Sequence, residues 1–190
     1  EDFGDQLLFD VAKTTPELEY PLYQLCLDAL AQLHQKPLPP MVGSYFPQAM
    51  AQAAEITLQW YCSPDIAAAI ATELRKHLDS LDWTHPVLVL RDYHAQNVVY
   101  RPEQSGLAQI GLLDFQDAQL SHPLYDAASL INDARRSLHP DVERRLKDAL
   151  ARTYAGSDGF HRALSTLSAQ RNLRVLALFA RLCLRDGKPG

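Results

Sequence analysis

Cysteine is scarce in this chain and poorly spaced for bonding. The 190 residues hold three, Cys26, Cys62 and Cys183, far apart and odd in number. They fit neither a disulfide framework nor the paired spacing of a zinc site, so they read as buried thiols of a reducing cytoplasm. Long apolar runs are missing too. None is longer than Val175 to Ala180, which is bracketed by Arg174 and Arg181 and falls far short of the roughly 20 residues that cross a bilayer. Basic clusters are absent and the formal net charge is −5, which gives no reason to expect nucleic acid or a membrane surface as a partner. Internal repeats and low-complexity tracts are absent as well.

What remains is ordinary globular composition, 47 % hydrophobic and 22 % charged, enough for one well-buried domain or one lobe of a larger protein. The pattern along it is mostly helical. Leu18, Leu22, Leu25, Cys26, Ala29, Leu30 and Leu33 recur at steps of three and four, after a start signal in Thr14-Thr15-Pro16, and so predict an amphipathic helix. Four prolines between Lys36 and Pro47 predict an irregular connector. A second helix is expected over 48–61, with Met50, Ala54, Leu58 and Tyr61 inward. A third begins at Ser63-Pro64-Asp65, its dry face drawn through Ile66, Ile70, Leu74, Leu78 and Leu81. Three helices thus precede any strand.

Strands are expected only in the middle, at Val87–Leu90, Val98–Tyr100 and Leu107–Leu113, the last two joined by a hairpin. Helices return over 124–137, from Pro140, and over 160–184, the last apolar nearly all round near its end, as a central buried helix would be.

The chemistry gathers around that small β insert. Asp92 follows the first strand, Asn97 stands five residues on, and Asp114-Phe115 ends the third strand. Alone, Asp92 reads as a turn carboxylate and Asn97 as a loop amide. Asp114 stands next to Leu112 and Leu113, which are expected to be buried, so its carboxylate needs a cation or several donors, and magnesium takes such oxygens. Their joint order, strand, Asp-x4-Asn, strand, hairpin, strand, Asp-Phe, fits phosphoryl transfer, where one carboxylate orients the acceptor hydroxyl and the other two groups hold the metal.

This block resembles the catalytic segment of the aminoglycoside phosphotransferase and choline kinase-like group, small-molecule relatives of protein kinases whose loop reads His-Gly-Asp-x-His-x-x-Asn. The resemblance implies Asp92 as catalytic base, Asn97 and Asp114 as magnesium ligands, and His94 as the second loop histidine. It implies Asp126, in Tyr125-Asp126-Ala127-Ala128, as a prop for the catalytic loop. Glu1-Asp2-Phe3-Gly4 is similar to the hinge that meets adenine, implying Glu1 and Phe3 as nucleotide contacts. The fold expected is mostly α with a small β insert, the C-terminal lobe of a protein-kinase-like fold. Residues 1–5 would be the hinge, 86–117 the catalytic and metal-binding segment, and the N-terminal β-rich lobe is expected to be absent from this chain, because none of the five lysines sits in a strand of the kinase type.

Leu113 to Ala118, and the stretch from Gln170-Arg171-Asn172-Leu173 to Arg185-Asp186-Gly187-Lys188, are similar to a narrower branch that phosphorylates N-acetylmuramate and N-acetylglucosamine. The function implied is ATP- and magnesium-dependent phosphorylation of a small-molecule hydroxyl, on an amino sugar or an aminoglycoside. The alternative is a pseudokinase-like binding or regulatory module without catalysis. Two departures stand out. Leu90 occupies the place of the first loop histidine, and Gln116 that of the glycine after Asp-Phe. Only eleven residues separate Asp114 from Asp126, too few for the activation segment of a protein kinase.

Overall fold

The computed structural model describes residues 4–40, 42–154 and 159–187, so Glu1 and Phe3 lie outside the described residues. The helices are α1 (Leu8–Thr14), α2 (Glu19–Leu33), α3 (Pro47–Leu58), α4 (Pro64–Asp79), α5 (Tyr125–Ile131), α6 (Pro140–Thr153) and α7 (Phe160–Leu184); the strands are β1 (Val87–Val89), β2 (Val98–Tyr100), β3 (Ile110–Leu112) and β4 (Gln119–Ser121). Proline opens α3, α4 and α6, where its missing N–H costs nothing and its fixed φ suits the first turn.

The core lies among the helices. Helix α3 packs on α4 and α7, and α5 packs on α7. Ala51 and Ala54 on α3 and Ala67 and Ala71 on α4 are all buried, and such small side chains let helix axes approach closely. The strands form two antiparallel pairs, β1 with β4 and β2 with β3. Val89 lies opposite Gln119, and Val99 opposite Gly111. The connector after α2 runs along β4: Leu120 donates its N–H to Gly43 O, and Tyr45 donates to Leu120 O, both at 2.8 Å. A Cβ on Gly43 would stand 3.3 Å from the Gln119 side-chain amide, so the approach suits glycine. Residue Gln6 accepts the Tyr100 N–H at 2.8 Å, which ties the start of the described chain to β2.

Several expectations need correction. Helix α1 precedes the helix expected from Leu18, anchored by buried Leu8 and Ala12, so four α-helices rather than three precede β1. Only 110–112 of the expected strand 107–113 is strand; 106–109 form a 3₁₀ turn. Strand β4, Gln119–Ser121, is a fourth strand where only three are expected. The helix expected to reach 137 stops at Ile131, with Asn132 leaving the helical conformation.

The buried stripe of α4 is Ala67, Ala71, Leu74 and Leu78, while Ile66 is 53 % exposed. The close packing of α3 on α4 selects the alanines there. Tyr61, expected inward, is exposed, as are Leu176, Phe179 and Leu184 on α7, so the end of α7 is not buried all round. Of the three thiols only Cys26 is buried; Cys62 is half-buried and Cys183 exposed.

Among the groups inside the fold that titrate at or below neutrality, four shift with burial. The imidazoles of His34, His94 and His122 are each pushed down to about 4 by desolvation, and the Asp126 carboxyl is pushed up to about 7.

Two expectations follow from the packing. Leu78→Ala in the full-length protein lowers stability by about 2–5 kcal/mol in urea denaturation, whereas Ile66→Ala on the same helix changes it by less than about 0.5 kcal/mol. The second concerns acid. Folded, the three imidazoles stay neutral down to about pH 4, while unfolded they bind a proton below about 6.5. Their contribution to stability is therefore present above pH 6.5 and lost as the pH falls toward 4. Asp126 acts in the opposite sense, since its folded value lies above the 3.8 of the unfolded chain, but one group opposes three. Urea midpoints fall between pH 6.5 and 4.5, and His34→Gln flattens that fall by up to about 1.4 kcal/mol per pH unit.

Candidate functional site

Strand β1 runs through the interior and delivers Leu90, 7 % exposed, to the edge of a buried carboxylate. Asp126, in the first turn of α5 and fully buried, accepts the Leu90 N–H at 2.6 Å and the Arg91 N–H at 3.0 Å. Desolvation raises the Asp126 carboxyl, and these two N–H groups followed by the Arg171 charge pull it back down. Between them the two bonds fix an unusual turn: Arg91 has φ of 71°, a left-handed conformation costing an L-residue roughly 1–2 kcal/mol. The Arg91 guanidinium lies over the Tyr45 ring, 4.5 Å from its centre.

The turn leaves the Asp92 side chain about one-third exposed at 33 %. Beyond it the loop is anchored inward again. The Tyr93 hydroxyl donates to the Cys26 carbonyl at 2.9 Å, tying the loop to α2. His94 is 6 % exposed, and its lowered value is due first to burial and next to the Arg135 charge, so it is a neutral ring beneath the loop. A single 3₁₀ turn, Ala95–Asn97, then leads into β2.

Asn97 is the junction of the site. Its side-chain amide donates to the Asp92 carbonyl at 2.9 Å and reaches Asp114 Oδ2 at 3.4 Å. Its own carbonyl accepts the Leu113 N–H at 2.9 Å, which ties the end of β3 to the loop. Asp114 has φ of 57°, a second left-handed residue, and its Oδ1 accepts from the Gln116 side-chain amide. Non-glycine residues in this region cluster at functional sites.

The expectation that Asp114 is flanked by buried leucines fails. Asp114 is exposed, Leu113 is 39 % exposed and Phe115 59 %. The carboxylate is therefore solvated, and its distinguishing features are the left-handed backbone and two amide donors rather than the cost of burial.

Among the described residues no three His, Cys, Asp or Glu side chains converge on a point, so a protein-only metal cage is not present there. Magnesium asks for less: one or two carboxylates, the rest of its octahedron coming from water and phosphate oxygens. The Asp114 carboxylate, with the Asn97 side-chain oxygen left over once its amide nitrogen has donated, fits that demand.

One participant is not among the residues singled out from sequence. Arg174, from α7, donates from Nη2 to Asp92 Oδ1 at 3.1 Å. One turn earlier on α7, Arg171 is 1 % exposed, and none of its three guanidinium nitrogens has a hydrogen-bond partner among the described residues. In the sequence the two stand three residues apart, on one face of the helix expected over 160–184, but nothing local ties them to Asp92.

Comparison with known proteins bears on the family and the fold. The model of a family described as "Phosphotransferase enzyme family" (APH) matches residues 6–164. An N-acetylmuramate/N-acetylglucosamine kinase of Caulobacter vibrioides is 35 % identical over 212 aligned positions, taking in all of this chain and 57 % of that protein. The chain thus spans little more than half the length of that relative. Among solved structures, a choline/ethanolamine kinase family protein from Mesorhizobium loti superposes with a TM-score of 0.65 at 13 % identity, over 96 % of this chain and 58 % of that one. The ADP-bound aminoglycoside phosphotransferase APH(2'')-Ib superposes at 0.59 and 14 % identity, over all of this chain and 64 % of its own. These last two likenesses show a shared fold. With its family match covering most of its length, the chain belongs to the APH phosphotransferase family.

Proposed function

We propose that the protein carrying this chain transfers the γ-phosphoryl group of ATP to a hydroxyl of a small molecule, and that the preferred acceptor is an amino sugar of the N-acetylmuramate/N-acetylglucosamine type. The observation that carries the reading is the hydrogen-bonded group in which one amide, Asn97, touches both the Asp92 carbonyl and the Asp114 carboxylate. The similarity to a kinase of both sugars supports the acceptor, with aminoglycosides as the alternative class. An ADP-bound protein of the same fold supports the nucleotide.

In this reading Asp92 accepts a hydrogen bond from the acceptor hydroxyl and orients its oxygen toward the γ-phosphorus. The new O–P bond forms as the bond to the β-phosphate oxygen breaks, the hydroxyl proton passes to Asp92, and ADP leaves with the bonding electron pair. Asn97 and Asp114 would hold magnesium, which when bound neutralises phosphate charge. Asp126 holds the turn that presents Asp92, and buried His94 packs under the loop. Most of the rate gain is positioning and charge stabilisation.

The full-length protein, assayed for ADP release against amino sugars, aminoglycosides, choline and homoserine, should turn over an amino sugar. Asp92→Asn should lower its turnover by about two to four orders of magnitude while ATP still raises the melting temperature in the presence of magnesium. Asp114→Asn should abolish that magnesium-dependent shift. Near-normal turnover in Asp92→Asn sinks the assignment of the base. No stabilisation by magnesium and ATP in the unmutated protein favours a non-catalytic binding module instead.

A further inference from the structure

The Asp92 carboxylate does not stand alone. Its Oδ1 accepts a single hydrogen bond from Arg174 Nη2, an end-on contact that uses one of the five donors of a guanidinium. The Arg174 Nε is buried without a partner among the described residues, and so are all three nitrogens of Arg171. A planar guanidinium is built to take a carboxylate two-handed, and here neither arginine does so.

The local charge is also out of balance. The charges of Arg135, Arg171 and Arg174 act among Asp92, Asp126 and Asp133, and Asp126 is raised to about 7, so it gives up part of its charge near neutrality. In a chain of net charge −5, this is a local excess of positive charge beside the acceptor-orienting carboxylate. A further carboxylate in the group, Asp133, accepts from Arg135 through Oδ1 at 3.1 Å, and its Oδ2 has no hydrogen-bond partner among the described residues, so neither Arg171 nor Arg174 is paired with it. Burying cations without hydrogen-bonded partners is costly, and an anion arriving beside Asp92 would relieve that cost.

We propose that Arg174, with the Arg171 charge behind it, reads a carboxylate on the acceptor. The inference rests on the amino-sugar reading above. The two sugars differ in the relevant way: N-acetylmuramate carries a lactyl carboxylate and N-acetylglucosamine is neutral. With the acidic sugar bound, Arg174 turns its unused donors to the carboxylate. With the neutral sugar it stays on Asp92. Arg174 is thereby a specificity-determining residue that touches substrate.

The test is steady-state kinetics of the full-length protein with both sugars, comparing Arg174→Gln and Arg174→Lys with the unmutated enzyme. Arg174→Gln should lower kcat/KM for N-acetylmuramate by about ten- to a hundredfold more than for N-acetylglucosamine, mainly through KM. Arg174→Lys should recover part of the difference, since it keeps the charge but not the two-pronged geometry. The ratio of the two sugars does not depend on how much of a variant folds, and Arg174→Lys supplies the reading should Arg174→Gln fail to fold. Equal losses for both sugars would mean that Arg174 acts only through Asp92, and would overturn the inference while leaving the amino-sugar reading intact. An unmutated enzyme inactive toward both sugars removes that reading and this inference together.

Discussion

Two backbone N–H groups bonded to one buried carboxylate hold the site in place. Asp126 accepts from Leu90 and Arg91, and the second of these residues is in the left-handed region. Hydrogen bonds to a charged group contribute roughly 1.5–3 kcal/mol each, against a conformational cost of roughly 1–2 kcal/mol for the turn, so the bonds win and the turn persists. The arrangement has its own cost, since full burial raises the carboxyl. The Arg171 charge on α7 offsets part of that. Helices α5 and α7, distant in sequence from β1, therefore decide where Asp92 points.

The substitution of leucine for the first histidine of the family loop fits this frame. The Leu90 side chain is part of the core, and its contribution to the site comes through its main-chain N–H. Beyond the loop, Asp114 is gripped by the side-chain amides of Asn97 and Gln116. Gln116 stands where the family pattern has glycine, and it supplies that carboxylate with a side-chain donor.

The sequence made some of this legible and hid the rest for physical reasons. Proline marked the starts of α4 and α6, because the first turn is where a residue without an N–H costs nothing, whereas Pro47, counted with the connector, is in fact the first residue of α3. The order Asp92, Asn97, Asp114 was legible because short apolar runs stand directly before Asp92, after Asn97 and before Asp114. The bond from Asn97 to both aspartates was not, since it depends on the exact close of β2 on β3. Strand β4 is three residues of mixed polarity and carries no periodicity of its own; only pairing with β1 defines it. The face of α4 was misread because hydrophobicity favoured Ile66 over Ala67, whereas the proximity of α3 favours the smaller side chain. Asp114 was expected to be buried because its neighbours are leucines, yet one of those leucines is itself exposed. Arg174 was missed because its partner lies 82 positions away.

Strands β2 and β3 bring Asn97 and Asp114 together at one end of the pair, and the far end is a turn. Residues 102–106 at that turn are all exposed, while the β2–β3 register from Val98–Leu112 to Tyr100–Ile110 insulates it from the aspartates. Closing a longer loop there costs little entropy. The hairpin tip is thus a natural point of entry for a fluorophore or an epitope that reports on the site from a distance without standing in it.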